Sequence, residues 1–134
     1  MEIWQLTATE LKQKIADGEI SAREATESHL SRMSRLNEKL NAVVESCEAE
    51  ALKEADAVDK KRQKGDELGA LAGVPVTVKV NVDHKGYATT NGLQLQKDLI
   101  AKTDNPVVKN LRRAEAIIIA VSYTHLTLPT ILLV

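Results

Sequence analysis

Between residues 74 and 82 the chain alternates strictly, with Val74, Val76, Val78, Val80 and Val82 separated by Pro75, Thr77, Lys79 and Asn81. β-Branched residues at every second position predict a strand near 74–80 with one buried and one polar face. Upstream the period lengthens to that of a helix. Thr7 and Glu10 form a T-x-x-E capping box and Gly18 supplies a stop, which predicts a helix over residues 8–17. Ser21 and Glu24 repeat the box. Ala25, Leu30, Met33, Leu36 and Leu40 then fall on one stripe at spacings near three and four. Asn37 and Asn41 flank a break, and a third helix is predicted from near Ser46, with Ala49, Leu52, Ala55 and Val58 facing inward. It ends in "DKKRQKG", where cations suit the negative end of the helix dipole and Gly65 closes the turn. Helices are therefore expected to dominate residues 8–64, with no sheet in the first sixty.

The pattern changes after Gly65. Gly69, Gly73 and Pro75 mark a loop into the valine strand, and "HKGYATTNG" reads as turn and loop. Asn105 and Pro106 are an N-cap and a first helical residue, and Val107, Val108 and Leu111 give that short helix an apolar side. "AIIIAV" is a buried strand, expected near 116–120. Strand, long loop, helix, strand is the order of a parallel crossover. The fold class that follows is α/β, with N-terminal helices leading into part of a mixed sheet. Residues 116–134 hold no charge in a chain that is 28% charged, yet are too broken by Ser122, His125 and Pro129 for a membrane span. The shift divides the chain into a domain portion, 1–119, and a foreign, irregular tail, 120–134.

Composition narrows the classes. The 134 residues carry 43% apolar side chains but 2% aromatics and no Phe, so Leu, Ala and Val must supply the core. A balance of 18 basic against 19 acidic residues gives no draw toward nucleic acid or an anionic membrane. The single Cys47 rules out an internal disulfide and fits a reducing compartment. "MEIWQLTATEL" has no apolar leader region, which points to the cytoplasm. His29, His84, His125 and Cys47 lack metal-ligand spacing, so neither a metal nor a cofactor is expected. No phosphate-cradling glycine motif occurs. Periodicity leaves open whether Lys79 faces water or a site.

"LAGVPVTVKVNVDHKGYATTNG" resembles the lysine segment of the amidase signature family, whose pattern is close to L-x-G-[IV]-P-[VI]-x-[VI]-K-[DV]-N followed by K-G and T-T-x-G. The matching residues are Leu71, Gly73, Val74, Pro75, Val76, Val78, Lys79, Asn81, Lys85, Gly86, Thr89, Thr90 and Gly92. "DNPVVKNLRRAEAIII" is similar to the family's next helix–strand unit, with Glu115 where the family has Gly. The helical N-terminus is similar too, and the likeness covers about residues 5–119. The resemblance implies a Ser–cis-Ser–Lys hydrolase in which Lys79, as the neutral amine, is the general base. A lysine near its free pKa of about 10.4 is no base at neutral pH, so burial would have to bring it down. The resemblance further implies that Thr89, Thr90, Asn91 and Gly92 belong to a pocket loop for a small-molecule amide.

The family's triad serines lie in a stretch like G-G-S-S-G-G, and nothing here matches it; Ser122 is the only serine after Lys79. The chain is thus expected to be an amidase fragment cleaving carboxamide C–N bonds, inactive alone, of open oligomeric state. The A subunit of an aminoacyl-tRNA amidotransferase is the nearest alternative, less favoured because "VKVN" and "TTNG" stand where that subunit has K-D-N and T-T-C. A non-catalytic helical interaction fragment is the third.

Overall fold

The computed structural model describes residues 2–123. The helices are α1 (Ala8–Asp17), α2 (Ala22–Leu40), α3 (Glu48–Gln63) and α4 (Pro106–Arg113); the strands are β1 (Val43–Ser46), β2 (Pro75–Lys79) and β3 (Ile117–Ser122). Both capping boxes form: the Thr7 hydroxyl accepts from the Glu10 amide at 3.2 Å, and the Ser21 hydroxyl from the Glu24 amide at 3.0 Å. Each glutamate reaches back to its N-cap amide, so two otherwise orphaned donors are satisfied at each start. Asn105 caps α4 by accepting from the Val107 amide at 2.9 Å, with Pro106 in the first turn.

The sheet has the order β1–β3–β2. β2 runs parallel to β3, with α4 in the connection, as the crossover pattern predicts. β1 is antiparallel to β3 and is a correction to the sequence reading, which placed no sheet in the first sixty residues. Four residues are too few for a period to register, and Glu45 and Ser46 dilute the apolar pair before them. What makes the strand is tertiary. Asn37 on α2 brackets its entry, accepting from the Ala42 and Val43 amides at 3.0 and 2.8 Å and donating to the Val43 carbonyl at 2.9 Å.

β3 is buried from Ile117 through Val121, the signature of a central strand covered on both faces. On one face Ile117, Ile119 and Ala120 pack with Leu11, Ile15, Ala25, Leu30, Ala51, Ala55 and Val58 of α1–α3. On the other, Ile118 and Val121 pack with Val78, Val80, Val108 and Cys47, flanked by Val76 and Val82. The valine alternation is thus one side of this second cluster.

Some stripe assignments need correction. Leu40 is 67% exposed because α2 outruns the layer it packs on, and Ala49 and Val107 also face outward. α3 starts at Glu48 behind Cys47, two residues later than expected, and buries Ala51. β3 extends to Ser122, past position 120. The expected irregularity of the tail falls mainly on residues 124–134, outside the described residues. Among the described residues no helix is long and apolar enough to cross a membrane.

Candidate functional site

Lys79 is the last residue of β2 and stands opposite Ser122 in the parallel register. Because Val76 and Val78 pack into the second cluster, Lys79 shares the opposite face with Thr77, on the side that carries α1–α3. It is half-buried, whereas Thr77 is exposed. No ion pair among the described residues engages its amine.

The chain leaves β2 through Val80, whose amide donates to the Ser122 carbonyl at 2.8 Å, and enters the loop of residues 83–105. Its base is held by hydrogen bonds. The Asp83 carbonyl accepts from the Asn105 amide at 2.8 Å, and the Asp104 carboxylate from the Lys85 amide at 2.8 Å. Gly86 and Ala101 pair across the loop, as do Thr89 and Leu99.

The four residues expected to form a pocket loop have different environments. Thr89 is buried and donates its hydroxyl to Asp83 at 2.7 Å, which makes it a strut of the loop. The Thr90 hydroxyl accepts from the Gly92 amide at 3.1 Å. Asn91 is exposed, in the left-handed conformation at φ +50°, and donates to Gln96 at 3.1 Å. Gly92 has φ +78°, and a Cβ there would lie 2.4 Å from the Tyr123 ring, so any side chain would displace the tyrosine. Thr90, Gly92 and Tyr123 line an open groove of about 520 Å³ with Val43, Leu93 and Lys97. The structure thus brings Thr90 and Gly92 to one groove, while Thr89 and Asn91 support its wall. Lys79 is not among the groove's lining residues; it approaches through its partner Ser122, the residue before Tyr123.

Sequence reasoning missed the most connected polar group of this region. Arg112, in the last turn of α4, donates Nε to Asp104 at 3.1 Å. One terminal nitrogen donates to Glu54, and the other to Glu50 at 3.2 Å and to His84 Nε2 at 2.8 Å. His84 is 2% exposed, stacks on Tyr87 with centroids 4.4 Å apart, and leaves its Nδ1 without a partner. Burial, with Arg112 adding to it, pulls the imidazole below its ordinary value of 6.5 and so disfavours its charged form. Burial pushes Glu54 up against the pull of Arg112. A histidine followed by Lys85 and Gly86 reads as an exposed turn; only its packing against α3 and α4 reveals it. No group of metal-binding side chains occurs among the described residues.

A second anion–cation contact closes the far end of the helical layer. Glu115, at φ +64°, accepts from the Gly69 amide and from Lys61, both at 2.5 Å. With Glu54, Val58 and Arg112, these side chains line a cavity of about 230 Å³ whose two cations are both already paired.

Comparison with known proteins gives a consistent result. A family model described as Amidase matches residues 24–126. The chain is 50% identical over 122 residues to an indoleacetamide hydrolase of Bradyrhizobium diazoefficiens, covering 91% of the chain and 23% of that protein. It is 40% identical over 118 residues to the A subunit of the glutamyl-tRNA(Gln) amidotransferase of Streptomyces coelicolor, covering 88% of the chain and 24% of that relative. The structure of a bacterial aryl acylamidase of the amidase signature family superposes with a TM-score of 0.83 at 25% identity, covering 88% of the chain and 25% of that enzyme. The chain spans about a quarter of the length of each.

Proposed function

The chain belongs to the amidase family, and from that membership we propose that it is the lysine-bearing N-terminal portion of an enzyme hydrolysing carboxamides to a carboxylate and ammonia. The observation that carries the reading is the position of Lys79: last residue of β2, inside the motif that defines the resemblance, on the face opposite the valine anchor. A fixed strand end holds an amine in one place, which general-base chemistry needs.

In this reading the neutral Lys79 amine takes up, through a bridging serine, the proton of a nucleophilic serine. That serine's oxygen adds to the amide carbonyl carbon, the C–N bond breaks as the nitrogen takes the proton back from Lys79 and leaves as ammonia, and water then hydrolyses the ester to the carboxylate and the free serine. The serines lie in a portion of the family pattern that this sequence does not match, so the 134-residue chain by itself is inactive. Triad members act as a unit, and the lysine alone does not replace them. Thr90 and Gly92 form one wall of the substrate pocket, and the 50% identity to an indoleacetamide hydrolase favours a primary amide on an arylacetyl group. The enzyme works in the cytoplasm, a reading supported by the unpaired Cys47.

A role as the amidotransferase's A subunit is the second reading, supported by the 40% identical relative and disfavoured by "VKVN" and "TTNG". The test is a graft of residues 24–119 into the indoleacetamide hydrolase in place of its own counterpart. A folded chimera should release ammonia from indoleacetamide, and Lys79→Ala should lower the rate by about a hundred- to ten-thousand-fold. Full activity in the Lys79→Ala chimera would overturn the reading.

A further inference from the structure

We propose that Arg112 is a positioning residue for residues 89–92, and that it works only with His84 held neutral and protonated on Nδ1. The proposal rests on the reading above in one respect, that residues 89–92 wall the substrate pocket.

The loop of residues 83–105 is fastened to the rest of the fold mainly at its base, and Arg112 is where the fastenings meet. Its guanidinium joins three elements: α3 through Glu50 and Glu54, the end of the loop through Asp104, and the start of the loop through His84. From Asp104 the tie continues to the Lys85 amide, and from His84 by stacking to Tyr87. The Tyr87 carbonyl accepts from the Ala101 amide, and beside it Asp83 fixes the Thr89 hydroxyl. A planar group with five donors in a fixed fork can hold partners on three elements at once, whereas an ammonium is a compact charge on a flexible stem. Beyond this base, Leu95 is 99% exposed and Leu93 and Leu99 are more than half exposed, so packing does little to order the loop.

The tautomer follows from donor inventory. Arginine only donates, so His84 Nε2, 2.8 Å from it, must be the acceptor, and the ring proton must sit on Nδ1. Protonating the ring would set an Nε2–H donor against the Arg112 donor and break the link. The charged groups that act on the ring are Arg112 of α4, Glu50 of α3 and Asp104 of the loop, and both carboxylates are already engaged by Arg112.

The experiment uses the 134-residue chain, with long-range nitrogen–proton correlation spectra for His84 and amide hydrogen exchange for the loop. His84 should show the Nδ1–H pattern at neutral pH. Arg112→Ala should abolish that preference and cut protection of the Gly86 and Thr89 amides at least tenfold, leaving the Ala25 and Ala51 amides unchanged. Arg112→Lys should keep the tautomer, through one remaining donor, but lose protection at the Lys85 amide. An Nε2–H pattern in the unsubstituted chain, Gly86 and Thr89 protection unmoved by Arg112→Ala, or Lys85 protection unmoved by Arg112→Lys would overturn the proposal. If Arg112→Ala unfolds the chain, the tautomer and Arg112→Lys decide the matter. None of these readouts needs hydrolysis, so an inactive chimera would sink the functional reading and leave the Arg112–His84 fastening of the loop standing. An active chimera whose kcat and KM are indifferent to Arg112→Lys would do the reverse.

Discussion

The Asp59 carboxylate on α3 closes the N-terminus of α2: one oxygen accepts from the Ala22 amide at 2.8 Å and the other from the Arg23 amide at 3.0 Å. Ser21 serves only the Glu24 amide of that turn, so the local cap and the tertiary one divide the work. Ala22 and Asp59 are both buried, and water does not replace the lost acceptor. Asp59→Ala should therefore destabilise by about 2 kcal/mol or more, from orphaned donors costing about 1–3 kcal/mol each. Asp59→Asn keeps one acceptor oxygen and should lose about half as much. Thermal or urea unfolding measures both; equal stability of all three proteins would refute the tertiary cap.

Glu115 stands where the family pattern has glycine, and its φ of +64° explains the pattern. A side chain there costs about 1 kcal/mol relative to glycine. Glu115 offsets the cost with its bonds to Gly69 and Lys61, and those contacts hold its carboxyl below the usual range although burial works against them. Glu115→Ala keeps the strain and loses the bonds; Glu115→Gly loses both. Glu115→Gly should thus be the more stable variant by about 1 kcal/mol. Denaturant titration of the pair checks this, and the reverse order would place the stabilisation elsewhere.

How much of this was legible in the chain depends on how local the cause is. The capping boxes at Thr7 and Ser21, the N-cap Asn105 and the valine alternation act within a few residues, and each produced its element. Strand β1 was illegible because a side chain of α2, Asn37, holds its entry. Gly73 shows the limit of motif reading. It is part of the signature, yet its φ of +75° and its packing, where a Cβ would lie 2.8 Å from the Ala22 Cβ and 2.9 Å from Ile15, are both set by the tertiary fold against α1 and α2. His84 and Arg112, 28 positions apart, share no motif that would link them, and only the packing of the loop against α3 and α4 joins them.

Stability should respond to acid through His84. Its native value lies below the ordinary 6.5, so in the window beneath 6.5 the unfolded chain binds a proton that the native state refuses. Stability is then present above that window and falls as pH drops through it. Glu54 works the other way: burial raises it above 4.5, so its native form retains a proton that the unfolded chain releases, favouring the fold as pH falls toward 4.5. The difference between the unsubstituted chain and His84→Gln isolates the histidine. Unfolding free energy measured from about pH 7.5 to about pH 5 should fall more steeply with His84 present. Parallel curves would mean that the ring titrates alike in both states.

The sharpest prediction separates a lysine that relays a proton from one that merely carries charge. In the grafted enzyme, Lys79→Arg should be as damaging as Lys79→Ala. Arginine keeps its proton at any workable pH and offers a different donor geometry, whereas a solvated strand lysine tolerates the exchange. The loss should fall on kcat, with KM little changed, because the proton moves on the way to the transition state and not on binding. Lys85 is the internal control: its side chain is exposed, and the loop uses only its backbone amide, held by Asp104. Lys85→Arg should leave both constants within about twofold, an effect of under 0.5 kcal/mol as expected for a surface exchange. Steady-state kinetics on the three variants decide it. If Lys79→Arg were as benign as Lys85→Arg, the amine at the end of β2 would be facing water, and the alternation from Val74 to Val82 would describe an ordinary half-exposed strand.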